Sequence, residues 1–388
     1  MKTKYFFLAA AAAMMLTACS NDESDNSAQK SDGIIRLCTT GMDVSTRATG
    51  QNIQGKYFDA TEQVDIFLWD ATNTTYTTEA GETPAFSVYP QPLTTTATVV
   101  TNTTTDPVTY SNTLDFATTQ FWPMAGHSLN VWAVYPTGTM WDSENNASTA
   151  PTVLNNTTPN TSFSVQADQT SEANYKKSDL MVGLPYKTAV ANPLEPETAV
   201  SGWAKWSYEP IPLKFKHMLS KVNIKLSKTA TTTTISWNDL KNAEVSLVAQ
   251  KTINFNPKSF DALTKLDYSA GEEIVLYDGV TANSYLDGTS GEPVASEPSA
   301  LDADVYLPYS GIIVPQTING GTGAAAFLKV KVGEDEFEYT MPTNFNFLSQ
   351  KVYTLNVKIH KASILLTATI EDWETGDDIA DGSAYWKQ

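Results

Sequence analysis

The stretch IPLKFKHMLSKVNIKL, residues Ile211–Leu226, decides the fold class. Apolar side chains occupy every second position in each half of it: Ile211, Leu213 and Phe215, then Val222, Ile224 and Leu226. Such alternation is typical of a strand with one face buried and the other in water. The break at residues 217–220 predicts a bulge, or a corner at which the chain passes from one sheet to another.

Similar runs recur on both sides of this stretch, separated by turn residues. Val64–Trp69 is almost continuously apolar, which predicts a strand that is buried on both faces or crosses between sheets. Leu129–Tyr135 and Lys351–Ile359 alternate, and Ala326–Tyr339 is typical of a hairpin. No helical periodicity longer than three turns occurs. We therefore predict an all-β fold of two tandem β-sandwiches, at residues 48–205 and 206–388.

The N-terminus has the features of a lipoprotein signal. Lys2 and Lys4 precede an apolar run, and Leu16-Thr17-Ala18-Cys19 matches the bacterial lipobox. We predict that residues 1–18 are a signal peptide and that Cys19 carries the lipid; a plain secretory signal is the alternative. The apolar run is shorter than the ~20 residues that a spanning helix needs, and no later segment is apolar enough to span, so the lipid is the expected anchor.

Residues 19–47 are predicted to be a tether followed by a removable first strand. The polar, acidic segment after Cys19 is typical of disorder. Ile35 and Leu37 share one face of an early strand within Gly33–Arg47. The small polar residues around Arg47 predict an exposed, protease-accessible segment.

The charge composition of the chain limits the classes of molecule that it is expected to bind. The chain has 388 residues and a formal net charge of −18. This charge argues against binding nucleic acid or anionic lipid directly, and favours a soluble surface.

No metal centre or cofactor site is predicted. There is no H-E-x-x-H or C-x-x-C motif, and the histidines are far apart in sequence: His127, His217 and His360. Acidic loops at residues 302–304 and 374–381 leave calcium open, although solvated loops are the simpler interpretation.

Catalysis is not predicted either. The chain has no G-x-S-x-G elbow, and Gly320-Gly321-Thr322-Gly323 lacks the Lys-Ser/Thr of a phosphate loop. His217 is interpreted as a structural histidine. We therefore expect no enzyme activity.

Several short motifs, taken in order, resemble one family. A polar, loop-like YKKSDLMVG (Tyr175–Gly183) precedes FKHMLSKV, with FWP…YP and Thr46-Arg47-Ala48 upstream and VPQ and a strand ending at Trp373 downstream. This combination resembles the fimbrillins, the pilin subunits of type V pili that anaerobic Gram-negative bacteria make as lipoproteins.

The resemblance implies two transthyretin-like β-sandwich domains and a precursor anchored by lipid in the outer membrane. It further implies that an Arg-specific protease cuts between Arg47 and Ala48, so that the first strand leaves. The subunits would then polymerise with other pilin subunits into an extracellular fimbrium, which serves adhesion to a host or bacterial surface receptor and biofilm formation. Whether the chain is a stalk, anchor or tip subunit stays open.

In the family, a neighbouring subunit's C-terminal segment replaces the lost strand by strand addition. The candidate donor here is the tail Trp373–Gln388. Its expected apolar anchors are Ile379, Ala384, Tyr385 and Trp386.

A monomeric surface lipoprotein that binds glycans is the alternative from another class. Exposed aromatic rings stack on sugars, and four tryptophans are candidates for this role: Trp141, Trp203, Trp237 and Trp386.

Overall fold

The computed structural model describes the chain in fifteen parts: residues 34–39, 58, 62–70, 93–102, 109–121, 129–137, 161–185, 210–229, 235–257, 259–277, 285–288, 293–294, 298, 305–360 and 363–372. These parts are almost entirely β-strand, so the all-β prediction is confirmed. No helix within them is both long enough and apolar enough to cross a membrane.

The strands are, in chain order, β1 (Leu37–Thr39), β2 (Gln63–Asp70), β3 (Leu93–Asn102), β4 (Thr109–Phe116), β5 (Leu129–Tyr135), β6 (Thr161–Ser164), β7 (Met181–Pro185), β8 (Ile211–His217), β9 (Ser220–Lys228), β10 (Glu244–Ala249), β11 (Thr252–Phe255), β12 (Glu272–Val275), β13 (Tyr285–Asp287), β14 (Pro293–Val294), β15 (Val305–Ile313), β16 (Gln316–Ile318), β17 (Leu328–Val332), β18 (Asp335–Tyr339), β19 (Phe345–Phe347), β20 (Lys351–His360) and β21 (Ser363–Asp372). The short helices are α1 (Glu172–Lys177) and α2 (Trp237–Lys241).

Seven strands close into a barrel in the order β1-β4-β3-β2-β5-β7-β8. Strand β1 completes the circle, because it pairs antiparallel with β4 and parallel with β8. The barrel interior is an apolar cluster that every strand except β3 fills with large side chains; β3 contributes the small Ala97. Phe58 is a fully buried member of this cluster, with its ring edge-on to that of Phe215 at a centroid distance of 5.0 Å.

Strands β2, β5 and β7 are buried on both faces. Val64 and Ile66 point into the barrel, whereas Phe67 between them belongs to a second core on the outside. The Phe67 ring stacks there on Trp132 of β5, with centroids 5.9 Å apart. Alternate residues of each strand therefore fill two different cores. This confirms the prediction that the apolar run at Val64–Trp69 is a strand buried on both faces.

The second core lies among four further sheets. The largest has six strands in the order β14-β13-β15-β9-β20-β21, and another has the order β12-β10-β17-β18. Strand β16 pairs with β19, and β11 pairs with β6 from the earlier part of the chain. Aromatic rings are prominent in this core: Phe345, Phe347 and Tyr353 pack edge to face with centroids 4.6–5.7 Å apart.

The chain changes sheets inside the stretch Ile211–Leu226. Strand β8 belongs to the barrel, whereas β9 lies between β15 and β20 in the six-stranded sheet. Of the two predicted alternatives, a bulge and a corner between sheets, the structure has the corner, which falls at Met218 and Leu219, both fully buried. The division into two transthyretin-like domains at residue 205 stays a prediction.

The segment Tyr175–Gly183 is not a loop, contrary to the sequence-based expectation. It begins inside α1, whose N-cap Ser171 accepts a hydrogen bond from the Asn174 amide, and continues into β7. The six-residue helix is too short to show a periodic apolar pattern. Burial of Tyr175 against the second core fixes it instead.

Candidate functional site

The first candidate site is the seam that β1 fills between β4 and β8. The amide of Ile35 donates to the carbonyl of Gln120 at 2.8 Å, and the amide of Ile211 donates to that of Arg36 at 2.8 Å. In the strand register, Leu37 lies opposite Leu114 of β4 on one side and opposite Ile211 of β8 on the other. Main-chain hydrogen bonds on both sides and the buried side chains hold the described part of this strand in the seam.

Those side chains are almost completely enclosed. Ile35 and Leu37 are each 2% exposed and belong to the barrel core, which confirms that they share the apolar face of an early strand. Cys38 and Thr39 are buried as well. Removing β1 would open the barrel between β4 and β8 and expose the cluster that Ile35 and Leu37 now cover.

The second candidate site is the corner between β8 and β9. His217 Nδ1 lies 2.8 Å from Asp179 Oδ1, and both side chains are buried. Asp179 follows α1 and precedes β7, the barrel neighbour of β8. The histidine and the aspartate of the two quoted motifs, 38 residues apart, are thus brought together.

Main-chain groups of the corner are fixed from two directions. The Met218 amide donates to the Leu180 carbonyl at 2.9 Å, and the Met218 carbonyl accepts from Ser349 Oγ at 2.6 Å. The Leu219 carbonyl accepts from the Gln350 amide at 2.8 Å. Leu180, just before β7, and the turn before β20 therefore hold the crossing in place, so these motif residues act structurally.

The electrostatics of the corner follow from its enclosure. Burial raises the pKa of the Tyr175 hydroxyl well above its ordinary value of 10.0, and the nearby Asp179 carboxylate raises it further. Loss of hydration lowers the pKa of Lys221, and the attraction of Asp179 partly offsets this. A histidine–aspartate pair buried among these groups has no surface for a substrate.

Two buried glutamines make paired contacts with the main chain that sequence reasoning did not predict. Gln169 is fully buried, donates to the Ile312 carbonyl at 2.8 Å and accepts from the Ile312 amide at 2.9 Å. Gln316 makes the same two-point contact with the main chain of Gln250, at 3.1 and 2.8 Å. Only the VPQ motif drew attention to Gln316, and no pattern marked Gln169.

No group of three or more histidine, cysteine, aspartate or glutamate side chains among the described residues is placed to hold an ion. His217 is occupied by Asp179, and His360 ends β20.

Trp237 is not one of the exposed aromatic residues that the glycan-binding alternative requires. Trp237 is only 3% exposed, and its ring packs edge-on against Tyr285 at 5.8 Å. Lys228 Nζ lies 5.7 Å from the centroid of the same ring. The prediction that Trp237 is exposed is wrong, because α2 turns it into the second core. Trp141 and Trp203 lie outside the described residues.

The remaining sequence-predicted site residues also lie outside the described parts of the chain: Cys19, Arg47, Ala48, Ile379, Ala384, Tyr385 and Trp386.

Comparison with solved structures gives low sequence identities. A candidate cell adhesion protein from Bacteroides ovatus is 14% identical with a TM-score of 0.49, covering 89% of this chain and 99% of its own. A candidate cell adhesion protein from Bacteroides uniformis is 18% identical with a TM-score of 0.47, covering 89% and 100%. The C-terminally truncated tip fimbrial protein Mfa3 from Porphyromonas gingivalis is 9% identical with a TM-score of 0.37, covering 88% and 100%.

None of the curated proteins matches the chain. The family model described as "Fimbrillin-like" matches residues 46–373, which is most of the sequence. This match covers the barrel from β2 onward, the corner with its Asp179–His217 pair, and all the sheets of the second core. The chain belongs to the fimbrillin-like family.

Proposed function

We propose that the protein is a structural subunit of a cell-surface pilus that is exported as a lipoprotein, cleaved after Arg47 and polymerised by donor-strand exchange. The observation that carries the proposal is β1, a short buried strand that closes the barrel and precedes Arg47 in the chain. Family membership supports assembly with other pilin subunits in an extracellular fimbrium. Adhesion and biofilm formation are the biological roles proposed for that fimbrium.

Cleavage after Arg47 would free β1 from the rest of the subunit. The two barrel-facing side chains, Ile35 and Leu37, contribute about 1.5–3 kcal/mol each, or about 3–6 kcal/mol together. A protein stable by about 5–15 kcal/mol is left much weaker by that loss. The open seam also presents unpaired main-chain groups of β4 and β8, so a strand from another subunit gains hydrogen bonds as well as apolar contacts.

The donor is proposed to be the tail that follows β21. Strand β21 is the last strand of the six-stranded sheet and pairs antiparallel with β20 up to Asp372. The tail from Trp373 onward therefore continues from the edge of the sheet. Ile379, Ala384, Tyr385 and Trp386 are its proposed apolar anchors for the seam of the next subunit.

The precursor is proposed to reach the outer membrane through lipid on Cys19. Two or three acyl chains give stable attachment, whereas a single chain does not. Replacing Cys19 by alanine is expected to abolish palmitate labelling and membrane fractionation. Continued labelling of the variant would contradict this assignment.

Polymerisation is tested by treating purified precursor with an Arg-specific protease and examining the product by electron microscopy and denaturing gels without heating. We expect fibres whose subunits begin at Ala48. Arg47→Lys keeps the charge but removes the cleavage site, and is expected to give no fibres.

A second variant tests strand donation separately from strand acceptance. A chain lacking residues 374–388 is expected to be cleaved normally but to remain monomeric. Mixed with cleaved full-length subunits, it is expected to cap growing fibres, because its seam accepts a strand but it donates none. Fibres of normal length from the truncated chain alone would refute the donor assignment, and assembled subunits that begin at Cys19 would refute the cleavage assignment.

A further inference from the structure

A groove far from the seam in sequence lies between β11 and the segment that follows it. It has a volume of about 530 Å³ and runs from Ile253–Asn256 to Ser259 and Asp261–Asp267. This volume is within the range of about 300–1,000 Å³ that is typical of small-molecule sites. Neither the assembly seam nor the corner contributes to it.

Both walls of the groove are held in place. Strand β11 is paired with β6 along its full length. On the opposite wall, the Leu266 amide donates to the Pro315 carbonyl at 2.8 Å, and the Leu266 carbonyl accepts from the Thr317 amide at 2.9 Å. Gln250 Nε2 donates to the Asp267 carbonyl at 2.8 Å. A ligand would therefore meet a preformed site and would not have to order it.

The lining offers hydrogen-bonding groups above an apolar floor. The side chains of Asn254, Asp261, Thr264 and Asp267 are exposed. They make no hydrogen bond to another residue in the described ranges, and so are available to a ligand. Beneath them, apolar residues such as Phe255 form the floor.

We propose that this groove binds a neutral, hydroxyl-rich saccharide. Carboxylates and a side-chain amide pair well with hydroxyl groups, which both donate and accept. The described lining of the groove holds two carboxylates, Asp261 and Asp267, against one ammonium, Lys265, so its excess of negative charge disfavours an anionic sugar. The net charge of −18 acts in the same direction. The pilus subunit would thus carry a glycan-binding site separate from its assembly surfaces.

The test uses the uncleaved full chain, so its outcome does not depend on polymerisation. Lactose, methyl α-mannoside and N-acetylglucosamine are titrated by NMR, with glucuronate as the anionic comparison. At least one neutral sugar is expected to bind, and Asn254→Ala and Asp261→Asn are each expected to weaken binding at least about tenfold. Asn238→Ala, an exposed change of the same kind on α2, is the matched control.

Circular dichroism establishes that the exposed variants fold. The proposal is overturned if none of the three neutral sugars binds with a dissociation constant below about 10 mM. This limit is about tenfold weaker than a dissociation constant of about 1 mM, which is already weak binding. The proposal is also overturned if glucuronate binds better than every neutral sugar, or if Asn254→Ala and Asp261→Asn bind as tightly as the Asn238→Ala control.

Discussion

Leu37→Ala is predicted to destabilise the precursor but not the assembled subunit. Leu37 is 2% exposed and belongs to the barrel core between β4 and β8. Truncating a buried leucine to alanine costs about 2–5 kcal/mol, since it loses transfer free energy and leaves a cavity. If β1 leaves the barrel after cleavage, Leu37→Ala does not alter the free energy of unfolding of the assembled subunit.

The assay is urea unfolding followed by tryptophan fluorescence, on the precursor and on subunits cleaved after Arg47 and assembled. We expect the free energy of unfolding of the precursor to fall by about 2–5 kcal/mol. Gln63→Ala on β2, an exposed position, is the control and is expected to stay within about 0.5 kcal/mol.

Two results would refute the reasoning. A loss below about 1 kcal/mol in the precursor would mean that Leu37 does not hold the seam closed. An equal loss in the precursor and in the assembled subunit would mean that β1 stays in place after cleavage.

Three further predictions concern the corner and the cores. Asp179→Ala removes the buried hydrogen-bond partner of His217 Nδ1 and should lower the free energy of unfolding by about 1–3 kcal/mol in urea titrations. Gly183→Ala places a Cβ 2.5 Å from the Phe215 ring, so the barrel must repack, with an expected loss of about 1–3 kcal/mol and a lower thermal midpoint. Burial raises the pKa of Tyr353 to about 12. Its contribution to stability is complete below pH 10 and lost as the pH rises through 12, so absorbance titration of Tyr353→Phe should lack one ionisation step near pH 12.

The alternation within Ile211–Leu226 was sufficient to predict two strands with a break between them, because a half-buried strand repeats at every second residue. It could not decide between a bulge within one sheet and a corner between two sheets, since β8 and β9 present the same pattern. Burial on two faces was predictable at Val64–Trp69, where the apolar run is continuous. Trp237 was misjudged because a five-residue helix carries no periodic signal that fixes its inner face.

The candidate sites were predictable to different degrees. The apolar face of β1 could be recognised from Ile35 and Leu37 alone. The contact between Asp179 and His217 could not, since one sequence gives no measure of distance between residues 38 positions apart. Gln169 was missed for a related reason: its role depends on the main chain of Ile312, whose position is set by tertiary packing and not by local pattern.

The corner also has a mechanical consequence. Strand β8 borders the seam, and only Met218 and Leu219 separate it from β9 in the middle of the six-stranded sheet. Tension applied to whatever strand occupies the seam therefore reaches the centre of that sheet along covalent main-chain bonds. The Asp179–His217 pair and the hydrogen bond from Ser349 Oγ to the Met218 carbonyl brace the corner along this path.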